Sequence, residues 1–527
     1  MKKFILFIFL LGFVQLKSQS LRVYFKDKAY IKSSISVEDV ALSPKAIQNR
    51  YMRNIGFNED DLPIPESYLT SLREVGAQII GKSRWFNCAL IKGVSEDQLL
   101  QFDFIAKVEI AEKYNVDFAE ISNQKSNKST SSFNYGLARQ QIEMVRGEIL
   151  HDFNFQGQGM TIAVIDGGFS GVDTGKAFDS LWMNNRILGT KSFVNSHPTI
   201  YEDGSHGTRV LSVLGAHLEG QIIGSAPKAN YWLLKSEKES SEKPVEMDNW
   251  LMAAEFADSV GADIISSSLG YNEFQGGTGN HVYADMDGNT TIVTKAADKA
   301  ASKGILVIVS AGNEGNGAWR HITAPADGDS VLAIGSVTNL QNISSFSSRG
   351  PSSDGRIKPN VVAMGQATAN SNGNTVNLGN GTSFSCPIVS GMAACLWQSN
   401  VLKTNMDIFY AIQNSATIAG FPNNDYGHGV PNFELALYNT IGLDEGHEKM
   451  QLSFFPNPVL DELRIKCSIN PTELVAITLF DAQGNLILEL ERTFIGSEII
   501  VDFPFSPGVF FLRMNVDGKM YTQKIIK

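Results

Sequence analysis

The chain is short of cysteine, with four in 527 residues, at Cys88, Cys386, Cys395 and Cys467. That excludes a small disulfide-stapled scaffold. On one helix, Cys386 and Cys395 would stand roughly 13 Å apart, beyond the reach of a disulfide. Cys88 and Cys467 fall in segments expected to be separate domains, so all four cysteines read as reduced packing residues, with a nucleophilic Cys386 as the functional alternative. Histidine is also scarce, at eight residues, and His321 and His428 have no companion at metal-ligand spacing. No excess of basic residues is present. The net charge of -11 argues against nucleic acid or an anionic membrane surface as a partner. Neither the N-terminal apolar run nor any later stretch has the roughly 20 apolar residues needed to span a membrane.

What is present fits an exported protein of several domains. With 43% hydrophobic and 19% charged residues, the chain can fill two or three cores. Met1-Lys2-Lys3 precedes the apolar run Phe4 to Val14 and the polar Ser18-Gln19-Ser20. This pattern is that of a secretory signal peptide over residues 1–20.

Three short segments carry an acid, a base and a nucleophile. Thr161-Ile-Ala-Val-Ile-Asp166 is an apolar strand ending on a carboxylate; Asp203-Gly-Ser-His206-Gly207 puts a glycine-flanked histidine at a helix start; Gly381-Thr-Ser383 opens another helix. A serine hydroxyl is a poor nucleophile until a base takes its proton. An imidazole titrates near neutrality, so His206 can accept the Ser383 proton and return it to the leaving amine. Asp166 would fix the tautomer and steady the imidazolium. Ile305-Leu-Val-Ile-Val-Ser310-Ala311-Gly312-Asn313 brings an amide side chain to the end of a further strand. Asn313 and the backbone N–H of Ser383 are the expected oxyanion donors, and Pro387 suits a position near the start of a helix.

These segments, with Gly224-Ser-Ala-Pro227 and Ser268-Leu-Gly270, resemble the subtilisin-type serine peptidases over roughly Tyr135 to Leu443. The acid, base, serine order is that family's. Gly167-Gly168 after the acid, Arg209 in place of a second histidine and Ile388 after the proline depart from its pattern without removing a triad role. The resemblance implies a secreted serine endopeptidase that hydrolyses protein or peptide substrates through an acyl-enzyme, with no cofactor. It also implies that Ser268, Leu269, Gly270, Ser310, Ala311 and Gly312 line the pocket for the residue before the scissile bond. Tyr271, next to the first of these segments, reads either as a residue favouring apolar or aromatic side chains there or as an ordinary packing tyrosine. A catalytically silent subtilisin-like binding or adhesion protein is the competing reading.

Apolar runs at Thr161 to Ile165, Tyr231 to Leu234, Asp263 to Ile265, Ile305 to Val309 and Val331 to Ile334 alternate with helical stretches such as Asn249 to Val260 and Thr294 to Ser302. The expected fold is therefore α/β, a parallel sheet flanked by helices, with ligands at the carboxyl ends of the strands. Counted from Asp285-Met-Asp287-Gly-Asn289, Thr290 and Ala296 stand where a calcium loop wants glycine and glutamate, so no metal is assigned.

Residues 21–120 read as a small α+β domain, with strands at Leu21 to Phe25 and Asn87 to Ile91 and helix starts at Pro65 and Ser95. The polar run Ile121 to Ser132 is a linker (121–133). An appended domain ahead of a cuttable linker resembles the family's propeptide, making the chain a self-processed precursor. The catalytic domain then spans 134–443, and a second linker, around Asp444 to Lys449, spans 444–452. The last segment, 453–527, is a run of strand patterns and turn pairs, including Gln483-Gly484 and Asp517-Gly518, expected to form a β-sandwich. Phe455-Pro-Asn-Pro458, Leu479-Phe-Asp-Ala-Gln-Gly484, Ser506-Pro-Gly-Val-Phe510 and Gln523 to Lys527 resemble the sorting domain of type IX secretion substrates. That implies a partnership with the secretion machinery and delivery, through the periplasm, to the cell surface or beyond.

Overall fold

The computed structural model describes residues 20–29, 35–111, 133–194, 198–441, 452–467, 475–481, 485–494, 498–516 and 519–527. Nearly all of the signal segment, both polar linkers and the Gln483-Gly484 and Asp517-Gly518 turns lie outside them. The chain divides into two compact units, residues 1–442 and 443–527.

In the first unit, an antiparallel sheet is built from β1 (Leu21–Phe25), β2 (Gln78–Ser83), β3 (Cys88–Lys92) and β4 (Ile105–Ile110), in the order β2-β3-β1-β4. Leu69 and Leu72 of helix α2 (Glu66–Glu74) close its core against Val23, Ala89 and Ile91. Ser43 caps α1 (Pro44–Met52) by accepting from the Ala46 N–H at 3.2 Å, and Pro44 sits at N1, where its missing donor costs nothing.

The larger body holds a seven-stranded parallel sheet. Its strands are β5 (Thr161–Asp166), β6 (Ile187–Ser192), β7 (Asn230–Lys235), β8 (Ile264–Ser267), β9 (Leu306–Ser310), β10 (Val331–Val337) and β11 (Val361–Met364), in the order β11-β10-β9-β8-β5-β7-β6. Buried on both faces, the central strands read as continuous apolar runs. Ile162 and Val164 face one core; Ala163 and Ile165 face the other. The first core takes α3 (His206–Gly215) and α6 (Thr382–Ser399), and the second takes α4 (Val245–Val260) and α5 (Ile292–Ser302). Helix α4 begins four residues before the apolar pattern does, because its first turn carries the buried polar residues Glu246 and Asp248.

The N-terminal domain lies on α4 and α5 through ion pairs. Arg22 clamps Asp248 with two hydrogen bonds of 2.7 and 2.6 Å, Arg50 and Arg84 both reach Asp258, and Arg53 reaches Asp263. From the other side, Lys303 pairs with Asp61 at 3.0 Å. Cys88, Cys386 and Cys395 are free and buried.

The second unit is a sandwich of two antiparallel sheets. Leu452–Phe455, Glu462–Cys467 and Glu498–Asp502 form one sheet; Val475–Asp481, Leu486–Arg492, Val509–Val516 and Lys519–Ile526 form the other. Leu463, Ile465 and Val501 of the first pack with Ile477, Leu479 and Leu512 of the second.

Candidate active site

Asp166 is the last residue of β5, in the middle of the sheet, and is fully buried. Its Oδ1 accepts from the Gly167 N–H at 2.8 Å and lies 2.8 Å from His206 Nδ1. An ionised carboxylate only accepts, so Nδ1 carries the proton and Nε2 is left with a free lone pair. His206 is the first residue of α3. The helix can come this close to the strand because the next residue is Gly207, where a Cβ would stand 2.9 Å from that of Asp166. Burial works to lower the His206 imidazole, but the charge and hydrogen bond of Asp166, with Glu239, outweigh it and raise its pKa; Arg209 opposes them.

Ser383 is the second residue of α6, so its N–H is among those with no intrahelical acceptor. Its hydroxyl donates to the Ser268 carbonyl at 3.3 Å, and the Ser268 hydroxyl donates to the Ser383 carbonyl at 2.9 Å. The ring of Phe384 lies 6.5 Å from that of His206. Asn313 follows β9 by three residues, and its Oδ1 accepts from both N–H and Oγ1 of Thr382, at 2.9 and 3.0 Å. The amide is thereby oriented, with Nδ2 as the end left for a ligand. The fold therefore brings Asp166 and His206 into contact and ties Asn313 to the residue beside Ser383.

Ser268, Leu269 and Ser310 are nearly buried, Ala311 is fully so, and Gly270 and Gly312 continue the two segments. Both segments abut Thr323, which sequence reasoning missed. Its N–H bonds the Ala311 carbonyl at 3.2 Å, and its buried Oγ1 has no hydrogen-bond partner among the described residues. Tyr271 has no exposed surface, donates to Glu237 Oε2 at 3.2 Å and belongs to the second core, so it is a packing tyrosine. Burial, then the neighbouring Glu242, Glu246 and Asp166, raises Glu237 well above the usual carboxylate range.

Other candidates have local partners. Asp287 closes a turn by accepting from the Asn289 and Thr290 N–H groups at 2.8 and 2.7 Å. His321 stacks on Tyr283 at 3.8 Å, and His428 Nδ1 lies 3.1 Å from the Asn360 carbonyl. Burial pushes the Cys386 thiol up to about 12, which removes it as a thiolate nucleophile at neutral pH. Among the described residues, no group of three or more His, Cys, Asp or Glu could hold a metal ion, and no helix is long and apolar enough to cross a membrane.

A parallel sheet with an acid, a histidine and a serine at its mouth defines a class of hydrolases, and the comparisons with known proteins narrow it. Residues 157–429 match the subtilase family, 20–131 match the peptidase S8 propeptide domain of Bacteroidota, and 453–527 match a secretion system C-terminal sorting domain. The chain belongs to the subtilase family. It is 31% identical to subtilisin E of Bacillus subtilis (strain 168) over 301 residues, covering 56% of this chain and 70% of that protein. It is also 31% identical to subtilisin of Bacillus pumilus and 29% identical to subtilisin Savinase of Lederbergia lenta, in each case covering 97% of the relative. Serine peptidase activity follows at the level of the family, as does export as a type IX secretion substrate to the cell surface or the medium.

Proposed function

We propose that this protein is a secreted serine endopeptidase in which Ser383 is the nucleophile, His206 the general base and acid, Asp166 the group that orients the imidazole, and Asn313 the oxyanion donor. The observation that carries the reading is the 2.8 Å hydrogen bond between His206 Nδ1 and Asp166 Oδ1, because it leaves Nε2 as the acceptor.

Ser383 Oγ leaves the Ser268 carbonyl by rotation about χ1, loses its proton to His206 Nε2 and attacks the scissile carbonyl carbon. Charge develops on the carbonyl oxygen, met by Asn313 Nδ2 and the Ser383 N–H at the positive end of α6. The imidazolium, steadied by Asp166, passes its proton to the departing amine and leaves an acyl-serine. Water, deprotonated by the same imidazole, then attacks the acyl carbon, and the imidazolium returns that proton to Ser383 Oγ as the C–Oγ bond breaks and the acid product departs. Ser268 to Gly270 and Ser310 to Gly312 flank the residue before the scissile bond, with Thr323 between them.

The domain ahead of the peptidase serves as an inhibitory propeptide removed by the enzyme itself. We assign residues 21–120 to that propeptide, 121–133 and 444–452 to linkers, 134–443 to the catalytic domain and 453–527 to the sorting domain, after a signal peptide at 1–20 that leads through the periplasm.

A fluorophosphonate probe tests the assignment. The processed protein should be labelled at one serine, and Ser383→Ala should abolish labelling. An unlabelled wild-type protein would favour a silent binding scaffold, and a labelled Ser383→Ala would move the nucleophile elsewhere.

A further inference from the structure

Helix α3 presents His206, yet its N-cap, Ser205, makes no side-chain cap. The cap comes from a distant residue: Glu239, four residues after β7, accepts the Ser205 N–H on Oε2 at 2.6 Å and lies 3.5 Å from the His206 N–H. Gly204, at φ +84°, leaves the room for it, since a Cβ there would stand 2.6 Å from the same oxygen. The turn before the helix is held from β7 as well, because the buried Lys235 donates to the Asp203 carbonyl at 2.9 Å. Lys235 is also the residue in register with Asp166. One segment, Lys235 to Glu239, therefore braces both partners of the acid–base pair.

We propose that Glu239 is a positioning residue for His206: its carboxylate holds the first turn of the helix that presents the imidazole, and it is a second negative charge acting on that ring. The proposal rests on reading His206 as the general base. A carboxylate at a helix N-terminus satisfies donors that have no other acceptor and favours the helix dipole. The charged groups acting on the imidazole are Asp166 from β5, Glu239 from the loop after β7 and Arg209 from its own helix. Around Glu239 itself stand Lys235 and, next in sequence, Lys238; Glu237 lies toward Asp166. Glu239 is solvent-exposed, so its charge acts through water and salt weakens it.

Two substitutions separate the roles. Glu239→Gln keeps an oxygen acceptor for the two N–H groups but removes the charge; Glu239→Ala removes both. The His206 ring is titrated by NMR of its Cε1–H in the full chain carrying Ser383→Ala, with His206→Ala to identify the signal. In both variants the midpoint should fall by about half a pH unit at low ionic strength, and by less in 1 M salt, where the screening length is about 3 Å. In the chain with Ser383 intact, Glu239→Ala should lower kcat several-fold with KM unchanged, and Glu239→Gln should retain most of kcat once His206 is neutral. An unmoved midpoint in both variants, or a loss confined to KM, overturns the proposal. If the unsubstituted chain shows no turnover, the peptidase reading fails, and the ring titration still decides the role of Glu239.

Discussion

Ser268 and Ser383 exchange hydrogen bonds, each hydroxyl donating to the other's carbonyl, at 2.9 and 3.3 Å. The cause is Pro387. Four residues after Ser383 in α6, it has no N–H to give the Ser383 carbonyl, and the Ser268 hydroxyl takes the place of the missing intrahelical donor. The backbone of Ser383 is thus fixed by Ser268, the residue that follows β8.

Ser268→Ala should therefore leave a buried carbonyl unpaired, at a cost of about 1–3 kcal/mol. Thermal unfolding should show a Tm lower by several degrees, and kinetics a fall in kcat larger than any rise in KM. A variant with wild-type Tm would show that water replaces the hydroxyl at no cost.

Asn313→Ala removes the amide whose orientation Thr382 fixes. Turnover should fall by roughly a hundred- to a thousandfold, about 3 kcal/mol of transition-state stabilisation, at nearly constant KM. A loss appearing wholly in KM would make Asn313 a substrate-positioning group.

How far the sequence discloses this site depends on where each residue sits. Asp166, His206, Ser383 and Asn313 stand out in the sequence as candidates because each lies by the end of a strand or the start of a helix, beside an apolar run or a glycine. Glu239, Thr323 and the Ser268 hydroxyl's role do not, because their partners lie 34, 12 and 115 residues away in sequence. The strands divide in the same way. Central ones, buried on both faces, are continuous apolar runs, whereas the edge strand Ile187–Ser192 is mostly exposed and reads Ile-Leu-Gly-Thr-Lys-Ser, with no run to find. Buried carboxylates such as Glu246 and Asp248 look like surface charge in a sequence, since only tertiary packing takes them out of water.

The ion pairs under the N-terminal domain give a third test. Asp258 serves both Arg50 and Arg84, and Arg50 is 1% exposed. Asp258→Ala should leave Arg50 with Asp61 alone, at 3.1 Å, and Arg84 with Glu255 at 3.8 Å, and destabilise the precursor by about 1–3 kcal/mol through the lost charge-assisted hydrogen bonds. Once the N-terminal domain has been removed, the same substitution should change Tm little. Calorimetry of both forms checks this, and an equal loss in each would place the effect within α4 itself.

A pH dependence follows from Glu242. Burial pushes its carboxyl up to about 7 from an ordinary 4.5, so between these values the folded chain holds a proton that the unfolded chain has released. Stability tied to this group is present below about pH 4.5 and is lost as pH rises through about 7. Glu242→Gln should thus change Tm little at pH 4.5 and raise it at pH 9, by at most about 3 kcal/mol in stability. No gain at pH 9 would show that water or a cation already compensates the charge.

The last prediction concerns maturation. If the tail of the N-terminal domain passes near Ser383 in the precursor, cleavage is intramolecular and its rate is independent of dilution. The run at residues 121–132, polar in sequence and without apolar periodicity, reads as a linker, and the cut is expected between roughly Tyr114 and Tyr135. Wild type and Ser383→Ala, purified side by side, should differ in one respect: the first is trimmed in this interval and the second stays whole. N-terminal sequencing of the products locates the cut, and a dilution series gives the reaction order. Trimming of purified Ser383→Ala at the same bond would assign maturation to another peptidase. First-order trimming of the wild type alone would assign it to the chain's own serine, held beside its target by the ion pairs that seat the N-terminal domain on α4 and α5.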